Sequence, residues 1–200
     1  MSHRDSKVMC WVALDRGIAI ARSFGFDAPL ERWEREREAI KSAVLGRGFS
    51  QRLNAFVQRF DTDILDASLL ILPLVGFLPV ADSRVQGTIE ACRKHLMDQG
   101  FVSRYHADDG FKGDEGGFLL CNFWMIECLA LSGKIAEAEK LLDTTMHAAN
   151  DLGLFSEEYD PRSKAMLGNF PQAFSHIGYI NAAASLIGSK RPDANPSCEK

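Results

Sequence analysis

The chain is poor in several features that would point to particular functions. It has no basic excess: 23 Lys and Arg face 27 Asp and Glu, for a formal charge of −4. A phosphate-binding surface needs clustered cations, so nucleic acid is not an expected partner. It has no long apolar run. The most hydrophobic stretch, Ala67 to Ala81, is too short to cross a bilayer and is broken by Pro73 and Pro79. The opening MSHRDSKVM lacks the apolar core of a secretory signal, so no membrane partner and a cytoplasmic location are expected. Cysteine is sparse: Cys10, Cys92, Cys121, Cys128 and Cys198 form an odd set without a CxxC pair, which argues against a disulfide framework. Five scattered histidines without an HExxH motif exclude the common zinc signatures. No metal or other cofactor is expected.

What is present is helical pattern. An apolar content of 46% and a charged content of 25% are those of a globular protein, and 200 residues suffice for one sizeable core. Segments 6–23, 64–77, 117–132 and 169–187 read as helices apolar around most of their circumference. Segments 30–45, 83–97 and 135–150 read as helices with a single apolar stripe. A helix apolar all round is buried and a one-striped helix lies at the surface, so the alternation describes hairpins with an inner and an outer member. The apolar helices recur at roughly 50–60 residues, the spacing of a helical repeat array, open or closed into a toroid. Short extended segments are expected at 55–60 and 101–105. The Pro- and charge-rich tail from Ser189 to Lys200 is expected to be disordered.

Polar clusters sit where the chain enters the inner helices. Arg59-Phe60-Asp61-Thr62-Asp63 with Asp66 precedes one, and Arg104-Tyr105-His106-Ala107-Asp108-Asp109 followed by Asp114-Glu115 precedes the next. Ser156-Glu157-Glu158-Tyr159-Asp160 with the Gly168-Asn169 turn precedes the last. Parallel inner helices would gather these loops on one rim. Carboxylates that move protons, aromatic faces for the C–H side of a ring and amides for hydroxyls are the mixture sugar chemistry uses. Each residue also has a plainer role. Adjacent Glu157 and Glu158 could be solvated acids at a helix start, Asp66 could be a helix-start acid or a rim ligand, and His176 could be a satisfied core histidine. Trp11, Trp33 and Trp124 stand at packing positions.

Four stretches carry a family resemblance: SKVMCWVALDRG (6–17), DASLLILPLVGFLP (66–79), EGGFLLCNFW (115–124), and LFSEEYDP with LGNFPQAFSHIGYINAA (154–183). They resemble bacterial members of glycoside hydrolase family 15, the glucoamylase-like and trehalase-like enzymes, over residues 6–187. The resemblance implies an all-α fold, an α/α toroid of the (α/α)6 type, of which residues 1–188 would form an incomplete part with about seven of twelve helices. It also implies hydrolysis of an α-glucosidic bond with inversion, one carboxylic acid protonating the leaving oxygen and a carboxylate activating water. Glu157 matches the general base. Arg104 and Tyr105 match a pair holding the non-reducing glucose, while Glu158 and one of Asp108 or Asp109 match substrate-binding positions. The family's general acid lies in a Trp-Glu segment upstream of the SKVMCW motif, and this chain starts at MSHRD. The expected partners are therefore an α-glucoside (a maltooligosaccharide or trehalose) and either an N-terminal half or a second copy. The alternatives are a non-catalytic carbohydrate-binding remnant and a helical-repeat interaction module.

Overall fold

A computed structural model describes residues 4–106 and 116–190, with side chains from Ser6 onward. Asp108, Asp109, Asp114 and Glu115 of the second acidic cluster, and the tail from residue 191, lie outside the described residues. The chain divides into two compact units, Met1–Ala91 and Cys92–Lys200.

In the first unit, α1 (Arg4–Phe24) and α2 (Leu30–Arg47) form a helical hairpin. Val8, Trp11 and Ile18 are buried along α1 and Val44 along α2. The Trp11 ring meets Phe77 edge-on at 5.1 Å, and Lys41 Nζ stands 5.5 Å from the Trp11 ring. Arg37 of α2 bonds Asp15 of α1 at 3.1 Å, and Arg22 pairs with Glu34. A short antiparallel pair follows, β1 (Phe49–Ser50) with β2 (Ala55–Phe56). The segment expected as one helix over 64–77 is instead a 3-10 turn, Ala67–Leu70, and a single α turn, α3 (Ile71–Leu74). The physical stop is Gly76, in left-handed conformation at φ +77°, with Phe77 N–H bonded to the Leu72 carbonyl at 3.0 Å. Helices α1 and α5 end by the same device. Phe26 N–H reaches Ala21 O past Gly25, and Lys134 N–H reaches Leu129 O past Gly133, both at 2.9 Å. Three of the four apolar helical segments thus share one C-terminal punctuation, a structural echo of the sequence repeat. Helix α4 (Ser83–Leu96) carries the chain into the second unit.

In the second unit, β3 (Met97–Asp98) and β4 (Phe101–Val102) form a hairpin whose turn residues, Gln99 and Gly100, both have positive φ. Helix α5 (Leu119–Leu131) is apolar and almost wholly buried, packing against α6 (Ile135–Met146) on one side and α7 (Ala173–Ser189) on another. Gly178 permits the close approach of α7: a Cβ there would lie 2.9 Å from Leu120 Cδ1 and 3.1 Å from Phe123 Cβ. Buried Asn122 ties three elements together. Its amide donates to Gly100 O (2.8 Å) and Thr145 Oγ1 (3.0 Å), and its oxygen accepts Val102 N–H (2.7 Å). The outer helix α6 buries only the stripe Ala138, Leu141 and Thr145, as one-sided patterning predicts.

Helix α7 begins later than the pattern 169–187 suggests, because Gly168 to Gln172 are used for another purpose. It also departs from the expectation of burial all round. Phe174, Ile177, Ile180 and Ile187 form an exposed apolar stripe along it. The sequence reading of short extended pieces near 55–60 and 101–105 agrees with β2 and β4. It did not anticipate the three-stranded antiparallel sheet of β5 (Gly117–Phe118), β6 (Glu158–Asp160) and β7 (Ala165–Leu167).

Candidate active site

The second unit gathers the loop Leu154 to Gln172 around the starts of α5 and α7. Asp160 folds the chain back on itself: its carboxylate accepts Arg162 N–H (2.9 Å), Ser163 N–H (3.2 Å) and Ser163 Oγ–H (2.5 Å). These bonds, led by the Ser163 hydroxyl, hold its pKa below the usual carboxylate value. The turn sets the register of β6 on β7, with Glu158 opposite Leu167. Continuing that register by one residue brings Gly168 and Asn169 to Glu157.

Glu157 is held from three sides. Its N–H donates to Asn169 O at 2.9 Å, and its carbonyl accepts Leu119 N–H, at the first turn of α5, at 3.1 Å. Its carboxylate Oε2 accepts both the backbone N–H (3.1 Å) and the side-chain amide (2.8 Å) of Asn169. Gly168 has φ +71°, and a Cβ there would stand 2.9 Å from Glu157 Cβ and Oε2. Oε1 accepts no hydrogen bond from the described residues. Glu158 faces another neighbour, its Oε2 accepting Gly116 N–H at 3.2 Å. The two adjacent glutamates therefore diverge, as an extended backbone requires.

The segment preceding Glu157 is anchored to α7. Phe155 N–H donates to His176 Nε2 (3.3 Å) while His176 Nδ1 bonds Gln172 O (2.7 Å), so both ring nitrogens are engaged within the scaffold. Ser175 Oγ donates to Ser156 O (2.8 Å), and Ser156 Oγ donates to Glu158 O (2.6 Å). Phe155 packs among Phe123, His176 and Tyr179. The Ser-His pair of the sequence is thus a clamp on the glutamate loop, the satisfied-histidine alternative.

Arg104 and Tyr105 follow β4. Phe101 of β4 packs against Tyr159 of β6 with the rings tilted by 39° and 4.9 Å between centroids, and Gly117 of β5 lies against Phe101, where no Cβ would fit. Arg162 of the β6–β7 turn bonds Asp98 of β3 at 3.2 Å. The segment bearing Arg104 and Tyr105 therefore leaves the scaffold beside the strand bearing Glu158. The exposed Arg104 guanidinium stands 5.7 Å from the Tyr105 ring.

Asp66 belongs to the first unit and caps its 3-10 turn. Oδ1 accepts Ser68 N–H at 2.8 Å, Oδ2 accepts Gln58 Nε2–H at 2.9 Å, and the residue is only 4% exposed. Its carboxylate is satisfied by the scaffold. Two residues escaped the sequence reading as partners of the base. Asn169 was read as a turn amide and Gly168 as its companion; the hairpin register from SEEYD to AMLGN was the signal that could have placed both opposite Glu157. A third is Glu127 of α5, a buried carboxyl bonded weakly to Ser185 Oγ (3.5 Å). Burial pushes its pKa up to about 7. Burial, with Glu127 and Cys92 nearby, also raises the neighbouring Cys128 thiol. Among the described residues no group of three or more His, Cys, Asp or Glu is placed to hold a metal ion. None of their helices is long and apolar enough to cross a membrane.

Comparison with known proteins places the chain in a family. The model of the glycosyl hydrolases family 15 matches residues 1–184. Trehalase of Thermoplasma volcanium is 45% identical over 182 residues, covering 90% of this chain and 29% of that protein. Trehalase of Mycobacterium tuberculosis is 42% identical over 185 residues, covering 91% and 27%. The chain thus spans less than a third of the length of these relatives. A bacterial glucoamylase complexed with acarbose superposes with a TM-score of 0.76 over 94% of this chain and 34% of that one, at 14% identity. That likeness shows the fold: the chain is mostly helical and corresponds to part of an (α/α)6 toroid, the incomplete share that was expected.

Proposed function

Because this chain belongs to glycosyl hydrolase family 15, we propose that it supplies the water-activating side of an inverting α-glucosidase of the trehalase type. Glu157 is the general base. With Oε2 bound by Asn169, Oε1 accepts a proton from a water molecule. As that O–H bond breaks, the water oxygen forms a bond to the anomeric carbon from the face opposite the leaving group. The glycosidic C–O bond breaks with its electron pair on the leaving oxygen, which takes a proton from a carboxylic acid. That acid is carried by the part of the relatives' length that this chain does not span. Arg104 offers a planar fork of donors and Tyr105 an aromatic face to the non-reducing glucose, with Glu158 and one of Asp108 or Asp109 at its hydroxyls. Two trehalases at 42–45% identity favour trehalose over a maltooligosaccharide. The exposed stripe of α7 supports further helices packing there, from a complementary part or a second copy.

The observation that carries this reading is the Glu157 carboxylate: fixed in backbone and in one oxygen, and at the other bonded by none of the described residues. The test co-expresses the 200-residue chain with the part of the Thermoplasma volcanium trehalase outside the matched residues. Glucose release from trehalose, with α- and β-glucose appearing in equal amounts at early times by NMR (retention would give the α-anomer alone), is expected only when both are present. Glu157→Gln should lower it by about 10³-fold, within the range of general acid–base assistance. Undiminished turnover by Glu157→Gln, or robust turnover by the chain alone, overturns the proposal.

A further inference from the structure

We propose that Asn169 is a positioning residue that selects which oxygen of Glu157 takes the proton. This rests on the reading of Glu157 as the base and deepens it. Two N–H groups of one residue, its backbone amide and its side-chain amide, converge on the same oxygen, Oε2. Both bonds are charge-assisted when the carboxylate is ionised, and together they restrain its rotation about the last side-chain bond. Oε1, which accepts no hydrogen bond from the described residues, is then presented in one direction, the condition for a base that must meet a single water beside a single carbon.

The side-chain pairing is not needed to fold the loop. The Glu157 backbone is already fixed through Leu119 N–H and Asn169 O, and the flanking segment through His176 and Ser175. Glu157 and Asn169 meet at the surface, where a carboxylate would be solvated without help. Gly168 supports the same conclusion. Its left-handed backbone turns Asn169 toward the carboxylate, and its missing Cβ leaves the space that Glu157 Cβ and Oε2 occupy. The same arrangement distinguishes the two adjacent glutamates, since Glu158 bonds Gly116 instead.

The experiment has two arms. In the ¹⁵N-labelled 200-residue chain, the backbone and Nδ2 protons of Asn169 should both move upfield in Glu157→Gln and stay in place in Glu158→Gln. Resonances of Asn169 indifferent to Glu157→Gln overturn the inference whatever the catalytic result. In the co-expressed assembly, Asn169→Ala should lower kcat by about 10–100-fold with KM within about twofold, the sign of an interaction that matters in the transition state. Asn169→Asp, which loses the amide donor and sets a like charge against the base, should lower kcat further at similar thermal stability. Unchanged kcat with raised KM in Asn169→Ala would make it a substrate ligand and refute positioning. Failure of Glu157 as base shows separately, as full turnover by Glu157→Gln with the Asn169 resonance shifts still observed.

Discussion

Two acidic loops of this chain read alike in sequence and differ in what their carboxylates have left to give. The loop before Ala67 ends in Asp66, and the loop before α7 contains Glu157; both precede an apolar helical segment. Asp66 spends both oxygens on the scaffold, capping Ser68 N–H and binding the Gln58 amide, and is buried. Glu157 commits one oxygen and keeps the other. The segments they enter differ in parallel. Ala67, Leu69, Leu70 and Leu72 are buried, whereas α7 leaves one apolar face uncovered. Accounting for every acceptor separates a cap from a candidate base where residue type alone cannot.

The contrast can be broken most decisively at Glu157, where the Gln substitution is expected to remove about 10³-fold of turnover while leaving thermal stability nearly unchanged. The reverse pattern, lost stability with retained turnover, would make Glu157 another structural acid. Asp66→Ala should lower unfolding stability by about 2–3 kcal/mol in urea titrations, because it deletes a cap and orphans the Gln58 amide. Stability unchanged by that substitution would mean Asp66 is not held by the scaffold as described.

Glu127 offers a third kind of acid, buried with a single weak partner. Its folded-state pKa of about 7 lies above the ordinary value of 4.5, so the folded chain keeps a proton that the unfolded chain has released. Stability should therefore be greatest below about pH 4.5 on this account, fall as the pH rises to 7, and level off above it. Glu127→Gln should flatten that slope and raise the melting temperature at pH 8; a parallel pH profile in the variant would remove the assignment. The smallest effect concerns α7. Replacing Ile177 and Ile180 by Ser should reduce self-association in sedimentation experiments while changing stability little, since both already face outward.

Much of the helical frame was legible because it depends on periodicity, which sequence carries directly. α2, α4, α5 and α6 fall within a few residues of their patterns. The segment 64–77 was overextended because its apolar run continues through Pro73, while Gly76 ends the helix by a backbone conformation that hydrophobicity does not register. The start of α7 was placed too early for a related reason. Gly168 to Gln172 lie in the loop, with Asn169 paired to a residue twelve positions earlier, and such pairing depends on hairpin register rather than on local preference. Divergence of Glu157 and Glu158 was foreseeable from extended geometry, whereas their partners required the hairpin register to be recognised. The exposed face of α7 was illegible in principle, because composition states that a surface wants cover and not whether cover is present.

Asn122 has a consequence for kinetics. Strands β3 and β4 are two residues each, and a hairpin that short opens readily by itself. Yet the Val102 amide proton is bonded to a side chain rooted in the first turn of α5, a helix buried along most of its length, and the same side chain grips Gly100 and Thr145. Solvent reaches that proton when this bond to the buried Asn122 breaks, not when the two-residue strands part alone. The stem that delivers Arg104 and Tyr105 is thereby tied to the core, and its persistence comes more from Asn122 than from its own strands.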